Sequence, residues 1–274
     1  MRYLLIILII FSILSPAPVV GADDEELTVE SINKKVYLLN GALATTSLAW
    51  GYTNWDYGEK SAHMESEDWF DHDTEEGGAD KLGHMYTGYA ITHGSATLYR
   101  KWGYSREKAS LYGAGTSLMI TGLVEVGDSF SNYGFSYEDM IANALGATLG
   151  YYLYRYPEVQ KKIDFRWEFK PELDQLKSDF VTDYEHSKYL VAIKAEGFDS
   201  IQNNWLKALE LHIGYYARNY EDYDPTGPDS RKRYVYVGIG LNVSRLIRKY
   251  SHTRLFDYLQ VPYTYIEVHN EIEP

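Results

Sequence analysis

Apolar and small residues recur at helical spacing in the first half of this chain. In the stretch 31–53, Ile32, Val36, Leu39, Leu43 and Trp50 follow a 3.6-residue period. Three further stretches, at about 80–101, 105–128 and 137–155, are also helical in pattern and rich in glycine and alanine. Because small residues let helices approach closely, the pattern predicts a bundle of about four helices within residues 23–156.

The hydrophobic period changes to two beyond residue 185. Alternating segments at about 188–194, 209–216, 234–243 and 263–268 indicate strands, and the turn-forming segment 222–230 separates two of them. The segment 163–185 is irregular and charged, and a short helix is expected from about residue 253. The sequence therefore predicts an α+β protein in which a small antiparallel sheet, within residues 157–274, follows the helical bundle.

The first 22 residues have the features of a cleaved secretory signal peptide. A short basic start precedes an apolar segment at 3–14, and residues 20–22 place small side chains directly before Asp23. An uncleaved membrane anchor is the alternative, but this segment is shorter than the roughly 20 residues that a spanning helix needs. We therefore expect an exported protein whose mature chain begins at Asp23.

Charge and composition narrow the functional classes. The formal net charge is −13, and it becomes −14 when residues 1–22, which contain one arginine, are removed. This charge excludes general binding to nucleic acid or to anionic membranes, because both need a basic surface. The chain has no cysteine, so it is stable without disulfides. Its 27 tyrosines suit half-wet surfaces, which favours an envelope lipid, a glycan or a membrane surface as the partner.

Each of the last three predicted helices carries a polar pair at a spacing of three or four residues. The pairs are Asp80 with His84, Glu125 with Asp128, and Asp139 with Asn143. Residues at this spacing share one helix face, so each helix presents one polar spot on an otherwise small or apolar face. We predict that the three spots, together with Lys81, converge into one shared site.

This predicted site has three alternative roles. Its four carboxylates cannot all stay ionised in a partly dry site without a proton or a cation nearby. Such groups, with one imidazole and one amide, suit a divalent cation such as Mg²⁺, Mn²⁺, Fe²⁺ or Zn²⁺, and the candidate ligands are Asp80, His84, Glu125, Asp128 and Asp139. Acid–base or metal-dependent catalysis would use His84, Glu125 and Asp139. A structural network, including Lys81 and Asn143, is the third role.

The acidic segment 59–76 lies between the first two predicted helices. It contains eight acidic residues and two histidines, His63 and His72. It is either a cation-binding or lid loop over the site or a solvated connector anchored by Trp69 and Phe70. The ordered ligand spacing of an EF-hand is absent from it.

The polar pairs also carry a resemblance to a known family. The motifs that carry it are Asp80-Lys81-x-x-His84, Gly103-Tyr104-Ser105-Arg106, Glu125-x-x-Asp128, Ser136-x-x-Asp139-x-x-x-Asn143 and Gly146-Ala147-x-x-Gly150. Their order resembles a family of predicted bacterial periplasmic lipoproteins of unknown function. It is also similar to the VanZ-like membrane proteins, which are linked to glycopeptide-antibiotic resistance, although Asp128 stands where that pattern usually has glutamine. The lipobox cysteine of the lipoproteins is missing, so lipid attachment is not carried over.

The resemblance implies a compartment and a site, but no reaction. We expect the periplasm or the periplasmic face of the outer membrane. The sequence thus predicts an exported cell-envelope protein with a structural or binding role and a buried polar site between helices. The alternative is a metal-dependent or acid–base enzyme that acts on an envelope lipid or glycan.

Overall fold

The computed structural model describes residues 29–273, apart from 172–178, 222, 249 and 252. The predicted signal peptide, residues 1–22, lies outside the described residues. The chain divides into two compact units. The helical unit comprises residues up to Ser66 together with Thr87–Arg155, and the sheet unit comprises Glu67–Tyr86 and Tyr156–Pro274.

Four long helices precede the sheet, as predicted. They are α1 (Val29–Asn54), α2 (Ala79–Lys101), α3 (Arg106–Asp128) and α4 (Tyr137–Arg155), and a short α5 (Pro157–Gln160) follows them. Ser105 begins α3 by accepting a hydrogen bond from the Lys108 backbone N–H at 3.2 Å. Ser136 begins α4 in the same way, through the Asp139 backbone N–H at 3.2 Å.

Glycines bring the helices of the helical unit close together. A Cβ placed on Gly113 of α3 would lie 2.6 Å from the Thr92 carbonyl oxygen of α2. A Cβ placed on Gly88 of α2 would lie 2.5 Å from the Asn143 carbonyl oxygen of α4. Since no side chain fits at either place, these small residues set the spacing that carries the site. The buried cluster beside them comprises Ala96, Tyr99, Ala109 and Tyr154, with Val36 and Leu39 of α1 packed against it.

The sheet has five antiparallel strands in sequential order. They are β1 (Ile163–Phe169), β2 (Ser187–Lys194), β3 (Leu209–Arg218), β4 (Lys232–Leu241) and β5 (Tyr265–Ile272). The α+β fold class predicted from the sequence is therefore confirmed. The strand predicted over 234–243 ends earlier, at Leu241, because Asn242 caps a short helix, α6 (Val243–Ile247), by accepting a hydrogen bond from the Arg245 backbone N–H at 2.9 Å. The helix expected from about residue 253 is a single 3₁₀ turn, Leu255–Asp257.

The interpretation of 163–185 as irregular was wrong for its first part, which is β1. The strand was missed because three of its four buried side chains are charged: Asp164, Arg166 and Glu168. Their alternation has the period of a strand, but with charges in the positions where apolar residues are expected.

The two faces of the sheet reverse the usual distribution of side chains. One face buries charged and aromatic side chains such as Arg166, His212 and Tyr236. The other face, which we call the aliphatic face, is exposed at eight positions: Leu211, Ile213, Val235, Val237, Ile239, Leu241, Ile266 and Val268.

None of the helices within the described residues combines the length and the apolar character that a membrane crossing requires.

Candidate functional site

The candidate site of the helical unit is centred on a carboxylate and an amide from neighbouring helices. Asn143 of α4 donates from Nδ2 to Glu125 Oε1 of α3 at 3.0 Å, and both side chains are buried. The orientation of the amide follows from this bond, because an ionised carboxylate only accepts. Asn143 Oδ1 has no hydrogen-bond partner within the part of the chain that the structure describes. A buried acceptor in this state is costly unless a donor or a cation meets it.

Tyr57 packs beside this pair. Its ring fills a slot between Gly51 of α1 and Gly127 of α3, where a Cβ on either glycine would collide with the ring. Its hydroxyl donates to the Val124 carbonyl oxygen at 3.0 Å. The two glycines therefore place a phenol at the C-terminal end of α3, next to Asp128.

Asp128 is the member of the site with the clearest electrostatic signature. Burial raises the pKa of its carboxyl from 3.8 to about 7. The Tyr57 hydroxyl, which also lies within hydrogen-bond reach of Asp128, opposes this shift in pKa, and the nearby Asp139 carboxylate adds to it. Asp128 and Asp139, which were predicted to converge, are thus close enough to repel each other.

Apart from tyrosines, the buried ionisable residues of the helical unit are mainly acidic. They are Glu125, Glu138, Asp139 and His93, and none of the lysines and arginines described in this unit is buried. Glu138 accepts hydrogen bonds from Ser66 at 2.7 Å and Ser136 at 3.2 Å. His93 Nε2 contacts the Gly150 carbonyl oxygen at 3.0 Å. The buried carboxyl groups of this unit therefore have no buried lysine or arginine beside them within the described residues.

The predicted site residues of α2 lie in the sheet unit. Lys81 is buried and forms ion pairs with Asp80 at 2.7 Å and with Glu67 at 2.5 Å. His84 is half-buried and stands four residues after Asp80, on the same face of α2. The convergence of these α2 residues with the carboxylates of α3 and α4 stays a prediction.

A comparison with protein families found a match for the part of the chain that contains these residues. Residues 66–155 match a family model described as predicted periplasmic lipoprotein (DUF2279). The predicted resemblance to a family of periplasmic lipoproteins is therefore confirmed. The DUF2279 segment includes all of α2, α3 and α4, and its family description supports an exported, periplasmic location. No curated protein and no solved structure matched the chain.

The sheet unit, mostly outside the DUF2279 segment, contains a second buried ionic cluster. The Arg166 guanidinium donates to both Glu210 carboxylate oxygens, at 2.5 and 2.9 Å, and to Asp164 at 2.9 Å. Lys194 donates to Asp164 at 2.6 Å, and His212 Nε2 contacts Glu210 at 2.8 Å. The charges of Arg166 and Lys194 balance those of Asp164 and Glu210, which is typical of a structural network.

Sequence reasoning missed this cluster and assigned no role to His212. The period-two alternation of Asp164, Arg166 and Glu168 is the signal that could have found it.

Proposed function

We propose that this chain is a periplasmic binding protein for a divalent cation, held by the carboxylates of α3 and α4. The observation that carries the proposal is Asn143 Oδ1, a buried amide oxygen without a partner in the described residues, beside Glu125. An amide oxygen next to a carboxylate is a suitable ligand pair for a hard cation. A bound cation would satisfy the amide oxygen and offset the negative charge of the interior.

The expected ligands follow from the positions on the two helices. Glu125 and Asp139 are buried, and Asp128 lies one helical turn from Glu125 on α3. Asp128 and Asp139 repel each other while both are ionised, and a cation between carboxylates relieves that repulsion. Oxygen ligands of this kind favour Mg²⁺ or Mn²⁺.

His84 is the proposed nitrogen ligand. Gly88 stands on the face of α2 that packs on the other helices: its carbonyl oxygen accepts from Ser117 Oγ at 2.8 Å, and its Cα approaches Asn143. His84 lies four residues before Gly88 and so shares this face. An imidazole in the set would shift the preference towards Mn²⁺, Fe²⁺ or Zn²⁺. Asp80, one turn further from Gly88, is the outermost candidate.

Titration of the chelator-treated protein with Mn²⁺ by isothermal calorimetry tests the proposal. We expect one site for each chain, with affinity lowered at least tenfold by Glu125→Gln and by Asn143→Leu. Glu107→Gln is the matched control, because Glu107 is an exposed carboxylate at the other end of α3. No heat of binding in the wild type, with a loss of stability in Glu125→Gln, would assign the residues to a structural network.

The variant His84→Ala tests whether His84 is a ligand, independently of whether the oxygen ligands bind a metal. A roughly tenfold loss of Mn²⁺ affinity is expected if the imidazole binds the metal. Unchanged affinity would remove His84 from the set and leave the oxygen ligands in place.

A second candidate function is acid–base catalysis on an envelope lipid or glycan. The observation that favours it is the pKa of Asp128, about 7, because a general base works best with a pKa near the ambient pH. Hydrolysis of extracted envelope lipids by chelator-treated protein, abolished in Asp128→Asn, would support this candidate. Equal rates for the two proteins would eliminate it.

A further inference from the structure

The aliphatic face of the sheet is continuous across three strands. In the β3–β4–β5 register, Leu211 lies opposite Ile239, which lies opposite Ile266. The next row joins Ile213, Val237 and Val268 in the same way. Exposure of these side chains ranges from 38% for Leu211 to 80% for Val268. A contiguous exposed surface of aliphatic side chains marks an interaction site.

A second feature adjoins this face at the end where β3 begins and β4 ends. The connection 195–208 between β2 and β3 contacts the segment around α6: Asn242 N–H donates to the Ala208 carbonyl oxygen at 2.8 Å. Two arginines of that segment share one carboxylate, since Arg248 donates to Glu196 at 2.7 Å and Arg245 does so at 3.2 Å. We call this surface the basic rim; its members are Trp205, Leu206, Arg245, Leu246, Arg248 and Tyr250.

The basic rim combines exposed apolar groups with positive charge. Trp205 is 86% exposed and Tyr250 83% exposed. The connections 195–208 and 242–264 hold five basic and three acidic residues in a chain whose net charge is −13. The β3–β4 connection at the opposite end of the sheet, 219–231, holds four acidic residues and one basic residue. The sheet therefore has a net positive end where β3 begins and a net negative end where β3 is followed by the β3–β4 connection.

We propose that the aliphatic face and the basic rim dock on a phospholipid bilayer that carries anionic headgroups. The aliphatic side chains fit hydrocarbon, which offers neither charge nor hydrogen bonds. Tryptophan and tyrosine favour the boundary between hydrocarbon and headgroups, and arginines at that depth meet phosphate. The negative net charge of the whole chain argued against binding to anionic membranes, but net charge does not describe a local positive surface such as the basic rim.

Binding of the exported, purified protein to vesicles tests the proposal. The face variant carries Val237→Thr and Ile239→Thr, at side chains that are 50% and 56% exposed. Its control carries Val126→Thr and Leu145→Thr in the helical unit, at 51% and 53% exposure. Arg248→Gln tests the rim, with Lys35→Gln, also exposed, as its control. Thermal melts that match the wild type establish that each variant is folded.

We expect the wild type to sediment with vesicles of phosphatidylethanolamine and phosphatidylglycerol, and only weakly with phosphatidylcholine alone. The face variant should bind at least tenfold more weakly and Arg248→Gln several-fold more weakly, while both controls bind like the wild type. No wild-type binding, or equal binding by the face variant, would overturn the proposal. Dimerisation without vesicles that the face variant abolishes would also overturn it, because a second copy would then cover the face.

Discussion

Replacing Asp128 with asparagine should make the stability of the metal-free protein less dependent on pH. Burial and the neighbouring Asp139 hold the Asp128 pKa near 7 in the folded protein, against an ordinary value of 3.8. The carboxyl therefore favours folding while it is protonated. This contribution is complete below about pH 4 and is lost as the pH rises through about 7. Asparagine keeps the shape and an acceptor for Tyr57, but it never ionises.

The size of the effect follows from the difference between the two pKa values. A change from 3.8 to about 7 corresponds to roughly 4 kcal/mol, at 1.36 kcal/mol for each pKa unit. Asp128 is only half-buried, so water screens part of this energy. Between pH 4 and pH 8, we expect the free energy of unfolding of the variant to rise by about 1–2 kcal/mol relative to that of the wild type.

Urea unfolding of both proteins at pH 4 and pH 8, in the presence of chelator, measures this difference. Glu107→Gln, an exposed carboxylate on the same helix, should show no comparable change with pH. The reasoning fails if the stability difference between Asp128→Asn and the wild type is the same at both pH values.

Three further predictions concern the fold and export. Arg166→Met should lower the free energy of unfolding by about 3–5 kcal/mol, because it removes the arginine from buried Glu210 and leaves Asp164 with Lys194 alone. A urea melt within about 1 kcal/mol of the wild type would contradict this. Gly88→Ala should destabilise by about 1–3 kcal/mol through overpacking, whereas Gly115→Ala, whose Cβ meets open space, should be neutral or stabilising in the same assay. N-terminal sequencing of the exported protein should begin at Asp23, and a product that retains Met1 would disprove cleavage there.

The helices could be predicted because their capping and turn residues agree with the helical spacing of their apolar and small residues. α2, α3 and α4 combine caps, glycine-rich faces and clear breaks, and the observed bounds lie within two residues of the predicted ones. β1 could not be predicted in the same way, since its buried face carries Asp164, Arg166 and Glu168. The oppositely charged partners of these residues, such as Glu210, are tens of residues away in the sequence. The spacing of apolar residues gives no information about such pairs.

The site was predictable only in part. Spacing along a helix predicted that Glu125 and Asp128 share a face of α3. The structure pairs Glu125 with Asn143 of α4. Tyr57 was missed, because its place beside Asp128 depends on a slot between two glycines that are far apart in sequence. The strong shift in the pKa of Asp128 could not be predicted either, since it depends on burial.

In the sheet, the strands could be predicted from the sequence, but the buried face could not. Its period-two pattern predicted strands correctly, but alternation alone does not say which face is buried. Glycines at 214, 238 and 240 give room for the rings of Tyr236, His212 and Tyr265 on the polar face. Those aromatic rings fill the interior, and the aliphatic side chains are left outside.

Elemental analysis of the wild type and Glu125→Gln, both purified without chelator, is the most direct test of the proposed cation site. We expect about one divalent metal ion for each wild-type chain and none for Glu125→Gln, with both proteins folded. A wild type that holds no metal, takes up none when Mn²⁺ or Zn²⁺ is supplied, and melts at the same temperature with and without chelator would contradict it.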